Sequence, residues 1–346
     1  MGEIRIAVAG TGNLCSSLVQ GIQFYAKAKE PLGLLHSELG GYKSSDIRFV
    51  AAFDISKAKV GKDLSEAIFA KPNQAPKIAD VQKLQVTVKM GSAPDFLEEG
   101  ALSSIQRADA EPVDIASELK NMKADVLLNL VSGGSDKAST LYAKAAIDAG
   151  CAFLNATPSN IVGDISLVKR FTAAKLPLAG DDLLDQVGAT ALHIGILEFL
   201  QTRGVHIDES YQLDVGGGTE SINTLEKTKD TKRRIKTAAV TGHIPYKFPL
   251  VSGSTDFVDF LGNGRDSFFW VKGRYFGGAP FTIDIKLSSE DAPNGGSILI
   301  DAIRAMKIAK DKEIKGVVAP ICGYAFKRAE RRSLAEVYRA FRDLTG

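Results

Sequence analysis

Ile4-Arg5-Ile6-Ala7-Val8-Ala9 runs directly into Gly10-Thr11-Gly12-Asn13-Leu14-Cys15 and on into Ser16-Ser17-Leu18-Val19-Gln20. The first six residues are a short apolar run with the pattern of a buried strand, and the last five read as the start of a helix. Strand, glycine turn and helix in this order is the context that a dinucleotide fingerprint needs. Gly10 permits the tight turn and Gly12 lets the backbone approach a pyrophosphate, which would rest on the free N–H groups of the helix N-terminus. Cys15 stands where a third glycine is usual; it is small enough for helix–strand packing and reads as a packing residue rather than a nucleophile. Gly10, Thr11, Gly12, Asn13 and Leu14 are therefore assigned to cofactor binding.

Downstream of an insertion over roughly 29–45, Ile47 to Phe53 reads as a second strand ending in Asp54. An acidic residue at that place grips a ribose hydroxyl pair, and its charge favours NAD over NADP. Residues 56–69 read as helical, 70–82 as a loop, 83–89 as a strand, and 91–112 show no clear period. A helix near Asp114, a strand from Ala124 to Val131, a helix to about Ala149 and a strand from Cys151 to Leu154 follow. This alternation predicts an α/β fold with a parallel, doubly wound Rossmann-type sheet. Polar residues at the carboxyl ends of such strands face the ligand, which nominates Asn129, Ser132, Ser135, Asn155 and Thr157 for the nicotinamide side. Gly180-Asp181-Asp182 closes the next strand, and a helix from about Leu183 to Gly204 carries His193, read as a packed residue. Paired carboxylates such as Asp181 and Asp182 suit acid–base or cation chemistry.

From Asp208 the pattern changes to longer alternating strands, the signature of a sheet with one covered and one open face. The expected organisation is a NAD-binding domain over 1–204, an inserted α+β catalytic and oligomerisation domain over 205–294, and a return to the first domain over 295–346. The apolar content of 45% and charged content of 24% are those of a globular chain, and the net charge of +2 comes without a basic block; no nucleic-acid partner is expected. Three cysteines without metal-ligand spacing fit a reducing compartment. No run reaches membrane-spanning length, and the opening segment reads as a core strand rather than a signal peptide; a cytoplasmic protein is expected.

Taken together, Gly10-Thr11-Gly12-Asn13, Val50-Ala51-Ala52-Phe53-Asp54, Val60 to Phe69, Gly180-Asp181-Asp182, Gln186-Val187-Gly188-Ala189-Thr190, Gly273-Arg274 with Phe276-Gly277-Gly278, Glu290 to Asn294 and Ile300 to Arg304 resemble the myo-inositol-1-phosphate synthase family, in its short prokaryotic branch. The resemblance covers most of the chain. It implies a homotetramer that binds NAD and cyclises glucose 6-phosphate by oxidation, enolisation, intramolecular aldol closure and re-reduction. It also implies that Lys232, Lys236 and Lys327 are catalytic, with Asp182 and Asp301 orienting them. Three departures stand out. Leu184 replaces a family lysine, Asp185 replaces a serine, and Gly218 with Glu220 alters a Gly-Gly-Asn-x-Asp motif. A further lysine is missing near Asp259 to Gly262. Each lost cation would remove about 1.5–3 kcal/mol of contact to a charged substrate. Three functions stay open on these residues: the family reaction, helped or not by a divalent cation at Asp181 and Asp182; a diverged NAD-dependent reaction on another sugar or polyol; and a non-catalytic NAD-holding oligomer. No protein metal ligands are assigned.

Overall fold

The opening apolar run forms β1 (Ile4–Ala9), and the glycine turn leads into α1 (Asn13–Tyr25). The structure is a computed structural model and describes residues 2–95, 105–329 and 332–346, so part of the unpatterned stretch 91–112 lies outside the described residues. The chain continues through a small hairpin, β2 (Glu38–Leu39) and β3 (Tyr42–Lys43), then β4 (Ile47–Asp54), α2 (Leu64–Ala67), β5 (Val88–Met90), α3 (Ile115–Asn121), β6 (Val126–Asn129), α4 (Asp136–Ala149), β7 (Ala152–Asn155), α5 (Ile165–Ala173) and β8 (Pro177–Ala179). Next come α6 (Ala189–Thr202), β9 (His206–Gly216), α7 (Thr219–Asn223), α8 (Lys229–Thr241), β10 (Leu250–Phe257), β11 (Gly264–Arg274) and β12 (Pro280–Glu290). The chain closes with α9 (Asp291–Asp311), β13 (Gly316–Val317), α10 (Ala319–Ala325) and α11 (Leu334–Thr345).

Seven strands pair in the order β13-β8-β7-β6-β1-β4-β5, all parallel. This is the doubly wound dinucleotide order extended by one strand, and its switch point lies between β1 and β6. Both faces are covered. Leu18, Val19 and Ile22 of α1 meet Leu299, Ile303 and Met306 of α9 on one side. Leu119, Tyr142 and Phe171 from α3, α4 and α5 fill the other. Each such side chain stabilises the fold by about 1.5–3 kcal/mol through burial.

The second sheet runs β10-β9-β11-β12, with β9 and β10 parallel and the long β11–β12 hairpin antiparallel. Its inner face packs Ile207 and Val271 against Ile194, Leu197 and Val240 of α6 and α8. Its outer face leaves Tyr211 and Phe268 exposed, with Tyr211 stacked on Trp270 at 5.7 Å. One face is covered and the other open, as the alternation required.

Three boundaries differ from the sequence reading. The helix expected from Leu183 starts at Ala189, because Leu183 to Gly188 is tied down as a loop: Leu184 N–H donates to the Ala325 carbonyl and Gln186 N–H to that of Asn294. α6 packs on the second sheet, and α9 starts at Asp291 rather than within the expected return segment 295–346. Residues 56–69 contain only the single turn α2, since Gly61 at φ +86° breaks the pattern and the Asp63 carboxylate is drawn to the N–H groups of Ser65, Leu84 and Val86.

Candidate active site

At the switch point the loops after β1 and β6 part. Gly10 has φ +92°, and a Cβ there would stand 2.6 Å from the Leu130 carbonyl oxygen. Only glycine lets the two loops approach this closely. Gly12, at the start of α1, faces open space, and no side chain caps the helix there. The Thr11 carbonyl is held from behind by Lys59 Nζ at 2.9 Å and Asn73 Nδ2 at 2.9 Å.

The turn forms one wall of a cavity of about 220 Å³. Gly12 to Cys15, Leu130 to Gly133, Ala156 to Pro158 and the loop at Asp182, Leu183 and Asp185 line the Rossmann side. Glu220, Lys232, Lys236, Arg265 and Asp291 line the other, and Lys327 enters from the segment after α10. Lys232 and Lys236 share a face of α8 because they are four residues apart. Arg265 faces inward because β11 alternates: Ser267, Phe269 and Val271, at two-residue steps from it, are all buried.

Each cation in the cavity has a carboxylate close by. Lys232 Nζ lies 3.5 Å from both Asp182 Oδ1 and Glu220 Oε1. Lys236 Nζ donates to Asp214 Oδ2 at 2.6 Å. Arg265 Nη2 donates to Asp291 Oδ2 at 3.0 Å. Lys327 Nζ donates to the Leu183 carbonyl at 2.6 Å and to Asp182 Oδ1 at 3.2 Å. Burial pushes the Lys232 ammonium down, but Asp182 and Glu220 outweigh it and hold the lysine firmly charged. For Lys236 burial prevails over Asp214, and its pKa falls below the usual lysine range. Burial opposes ionisation of Asp182, yet Lys232 and Lys327 together pull its carboxyl down to about 2.

Lys232, Lys236, Lys327 and Asp182 thus meet as expected. Asp301 does not join them. It is fully buried on α9, where it accepts from Tyr324 OH at 2.6 Å, pairs with Arg304 and contacts His36 Nδ1 at 2.7 Å. It therefore anchors the insertion and is not a wall of the cavity. Ser132 and Thr157 line the cavity, although the Thr157 hydroxyl donates to Asn155 Oδ1 at 2.9 Å. Asn129 is wholly buried and donates to Ser139 and Asn155, tying β6 to α4 and β7. Ser135 precedes α4 and is not among the lining residues. Asn155 is buried and donates to Asp181. Thr11 lies behind the turn, fully buried. Asp54 Oδ2 accepts from Thr11 N–H at 2.8 Å and Thr11 Oγ1 at 2.6 Å, and Oδ1 accepts from Ile55 and Ser56 N–H. What this carboxylate holds here is the glycine turn itself.

Asp181 and Asp182 diverge and do not form a cation site. The Asp181 carboxyl turns away toward the N–H groups of Ile161 and Val162, at 3.0 and 3.1 Å, and burial raises its pKa to about 6. Among the described residues no three His, Cys, Asp or Glu side chains converge to hold a metal ion, so a divalent cation does not fit at this pair. His193 is a packed residue: Nε2 lies 2.8 Å from Ser210 Oγ, and burial lowers its pKa to about 4. Burial likewise pushes the Cys15 thiol up to about 12, consistent with packing.

The sequence reading missed Arg265, whose guanidinium supplies a cation in the region where a lysine is lacking. The strand alternation of Val271, Phe269 and Ser267 was the signal that would have found it. Leu184 lines a neighbouring apolar cavity and is not part of the charged one.

The sequence signature described as Myo-inositol-1-phosphate synthase matches residues 188–292. Inositol-3-phosphate synthase of Mycobacterium tuberculosis is 41% identical over 345 residues, 98% of this chain and 94% of that protein. The protein of the same name from Corynebacterium glutamicum is 41% identical over 94% of this chain and 93% of its own length. The crystal structure of Ari2 superposes with a TM-score of 0.80 at 31% identity, covering 99% of this chain and 98% of that one. A myo-inositol-1-phosphate synthase-related protein from Thermotoga maritima superposes with a TM-score of 0.81 at 22% identity over the same shares, a likeness of fold.

Proposed function

This chain belongs to the myo-inositol-1-phosphate synthase family, and on that premise we propose that it is an NAD-dependent inositol-phosphate synthase acting on glucose 6-phosphate. The observation that carries this reading is the convergence of Lys232, Lys236, Lys327 and Arg265 on one cavity walled by the glycine turn. The turn fits a dinucleotide. Gly10 brings the loops together, and Gly12 leaves open the space into which a pyrophosphate would fit. Gly12, Asn13 and Leu14 would hold the pyrophosphate, with Ser132 and Thr157 toward the nicotinamide. When bound, NAD supplies a hydride acceptor for the sugar and returns the hydride at the end.

The protein's own residues supply the rest. Lys232, kept charged by Asp182 and Glu220, stabilises the oxyanion that develops on enolisation and aldol closure. Lys236 is suited to take the C6 proton, because its pKa is shifted down toward working pH. Lys327 and Arg265 are left for the phosphate, where charge-assisted contacts are strongest. Arg265 offsets the missing lysine near Asp259 to Gly262, so the cavity keeps cations enough for a dianion. The open face at Tyr211, Phe268 and Trp270 suits assembly into a homotetramer. Among the described residues no helix is long and apolar enough to cross a membrane, and a cytoplasmic sugar phosphate is the substrate class this reading calls for.

The test is incubation with glucose 6-phosphate and NAD, followed by product analysis. Inositol phosphate is the expected product. Turnover of a different sugar or polyol would favour the diverged enzyme, and nucleotide binding without turnover across a sugar panel would favour the non-catalytic oligomer. Because both Asp54 oxygens are already engaged by the turn, the expected preference for NAD over NADP rests on its negative charge and not on a ribose contact; tighter binding of NADP would contradict it.

A further inference from the structure

Asp185 is the charged residue of the cavity that the mechanism leaves unused. The backbone around it is fixed on both sides. Leu184 N–H donates to the Ala325 carbonyl at 2.8 Å and Gln186 N–H to the Asn294 carbonyl at 2.9 Å, while Val187 N–H donates to Asn294 Oδ1 at 2.6 Å. The backbone from which the carboxyl projects is therefore set before any ligand arrives. Asp182, Glu220 and Asp291 are each engaged with a lysine or arginine, and Asp214 holds Lys236 from behind. Among the described residues the Asp185 carboxyl accepts no comparable contact. It lines the charged cavity and, together with Lys327, the adjoining apolar cavity of about 440 Å³.

The charges of the lining balance: Lys232, Lys236, Arg265 and Lys327 face Asp182, Asp185, Glu220 and Asp291. An extra carboxylate in a dianion site repels the phosphate unless it is turned to another use. A carboxyl with free acceptor capacity in a partly desolvated cavity gains most from a hydroxyl donor. Burial pushes this carboxyl upward against the pull of Lys327.

We infer that Asp185 is a specificity-determining residue that binds a hydroxyl of a polyol or sugar substrate and keeps the phosphate away from that end of the cavity. The inference rests on the synthase reading for the rest of the site and adds to it which end of the substrate faces the loop at Leu183 to Gly188. The same carboxyl is absent from the pattern that the family usually shows, where a serine stands, so the contact would set this chain's own preference among hydroxylated substrates.

The experiment is calorimetric binding of glucitol 6-phosphate, a non-cyclising polyol phosphate, and its singly deoxygenated derivatives to the NAD-loaded protein. Wild type, Asp185→Ser and Asp185→Asn are compared, with circular dichroism and NAD affinity confirming that the variants fold. Removal of one particular hydroxyl should weaken binding to wild type about 10- to 100-fold, the worth of a hydrogen bond to a charged group. Asp185→Ser should erase that difference and Asp185→Asn should keep part of it. Equal penalties in wild type and Asp185→Ser at every hydroxyl would overturn the inference even if glucose 6-phosphate is cyclised. A penalty lost in Asp185→Ser while glucose 6-phosphate is not cyclised would uphold the hydroxyl contact and remove the synthase reading. Failure of every polyol phosphate to bind would remove the inference, and glucose 6-phosphate turnover would then decide the synthase reading by itself.

Discussion

Two of the buried ionic clusters among the described residues differ in what completes them. Around Asp301, both carboxylate oxygens are taken up by Arg304, His36 and Tyr324, and the Arg304 Nη groups also donate to the carbonyls of His36, Ser37 and Tyr42, while its buried Nε stays without a partner. In the cavity at the switch point, Asp182 Oδ2 is buried without a partner and Asp185 makes no hydrogen bond among the described residues. In the first cluster the protein satisfies the carboxylate on both oxygens, which ties α9 to the insertion. The second leaves acceptors and cations facing a space of about 220 Å³. Charge and burial alone do not separate a structural site from a reactive one; the open valence does.

The sharpest way to break this contrast is to remove a cation from the open cluster. Lys327→Ala should lower kcat/KM about 10- to 100-fold, the worth of a charge-assisted contact to the substrate phosphate, while NAD affinity measured by calorimetry stays unchanged. A kcat/KM within a few-fold of wild type would take Lys327 out of the reaction. Removing a cation from the closed cluster should act on folding instead. Arg304→Ala leaves Asp301 buried without its charge partner, and urea unfolding should show a loss of about 3–5 kcal/mol. A loss below about 1 kcal/mol would mean that the cluster is not what secures the insertion.

A smaller effect distinguishes two neighbouring carboxyls. Asp182 has its pKa lowered to about 2, so its ionised form contributes stability above the unfolded-state value near 4. That contribution, about 2 kcal/mol, is lost as pH falls through 2. Asp181 has its pKa raised to about 6, so the folded state holds its proton more tightly and loses stability as pH rises from about 4 through 6. The stability difference between wild type and Asp182→Asn should therefore shrink between pH 5 and pH 2. Asp181→Asn should instead flatten the fall in stability between pH 4 and pH 6. Equal pH dependence in both variants would contradict their opposite surroundings.

The features legible in the sequence were those with a short-range signature. The glycine turn after β1, the strand ending in Asp54 and the pairing of Lys232 with Lys236 on one helix face all follow from local spacing, and the doubly wound order follows from the alternation of elements. What escaped was decided by tertiary packing. Asp301 matches a family pattern, yet the turn of α9 that carries it faces the insertion. Asn129 ends a sheet strand at the ligand edge, yet its side chain turns into the gap toward Ser139 and Asn155. Leu184 reads as a lost active-site cation, but it lines an apolar cavity, and Arg265 provides a charge from β11. Leu183 and Leu184 continue the apolar pattern of α6 and suggest an earlier start, whereas their N–H groups donate to the carbonyls of Ala156 and Ala325.

The most direct measurement is inositol phosphate formed from glucose 6-phosphate per folded molecule in wild type, Lys232→Ala and Asp301→Asn. Wild type and Asp301→Asn should form it at similar rates, and Lys232→Ala at less than about a hundredth of that rate. Undiminished product from Lys232→Ala, or its disappearance in folded Asp301→Asn, would contradict the assignment of chemistry to the open cluster and structure to the closed one.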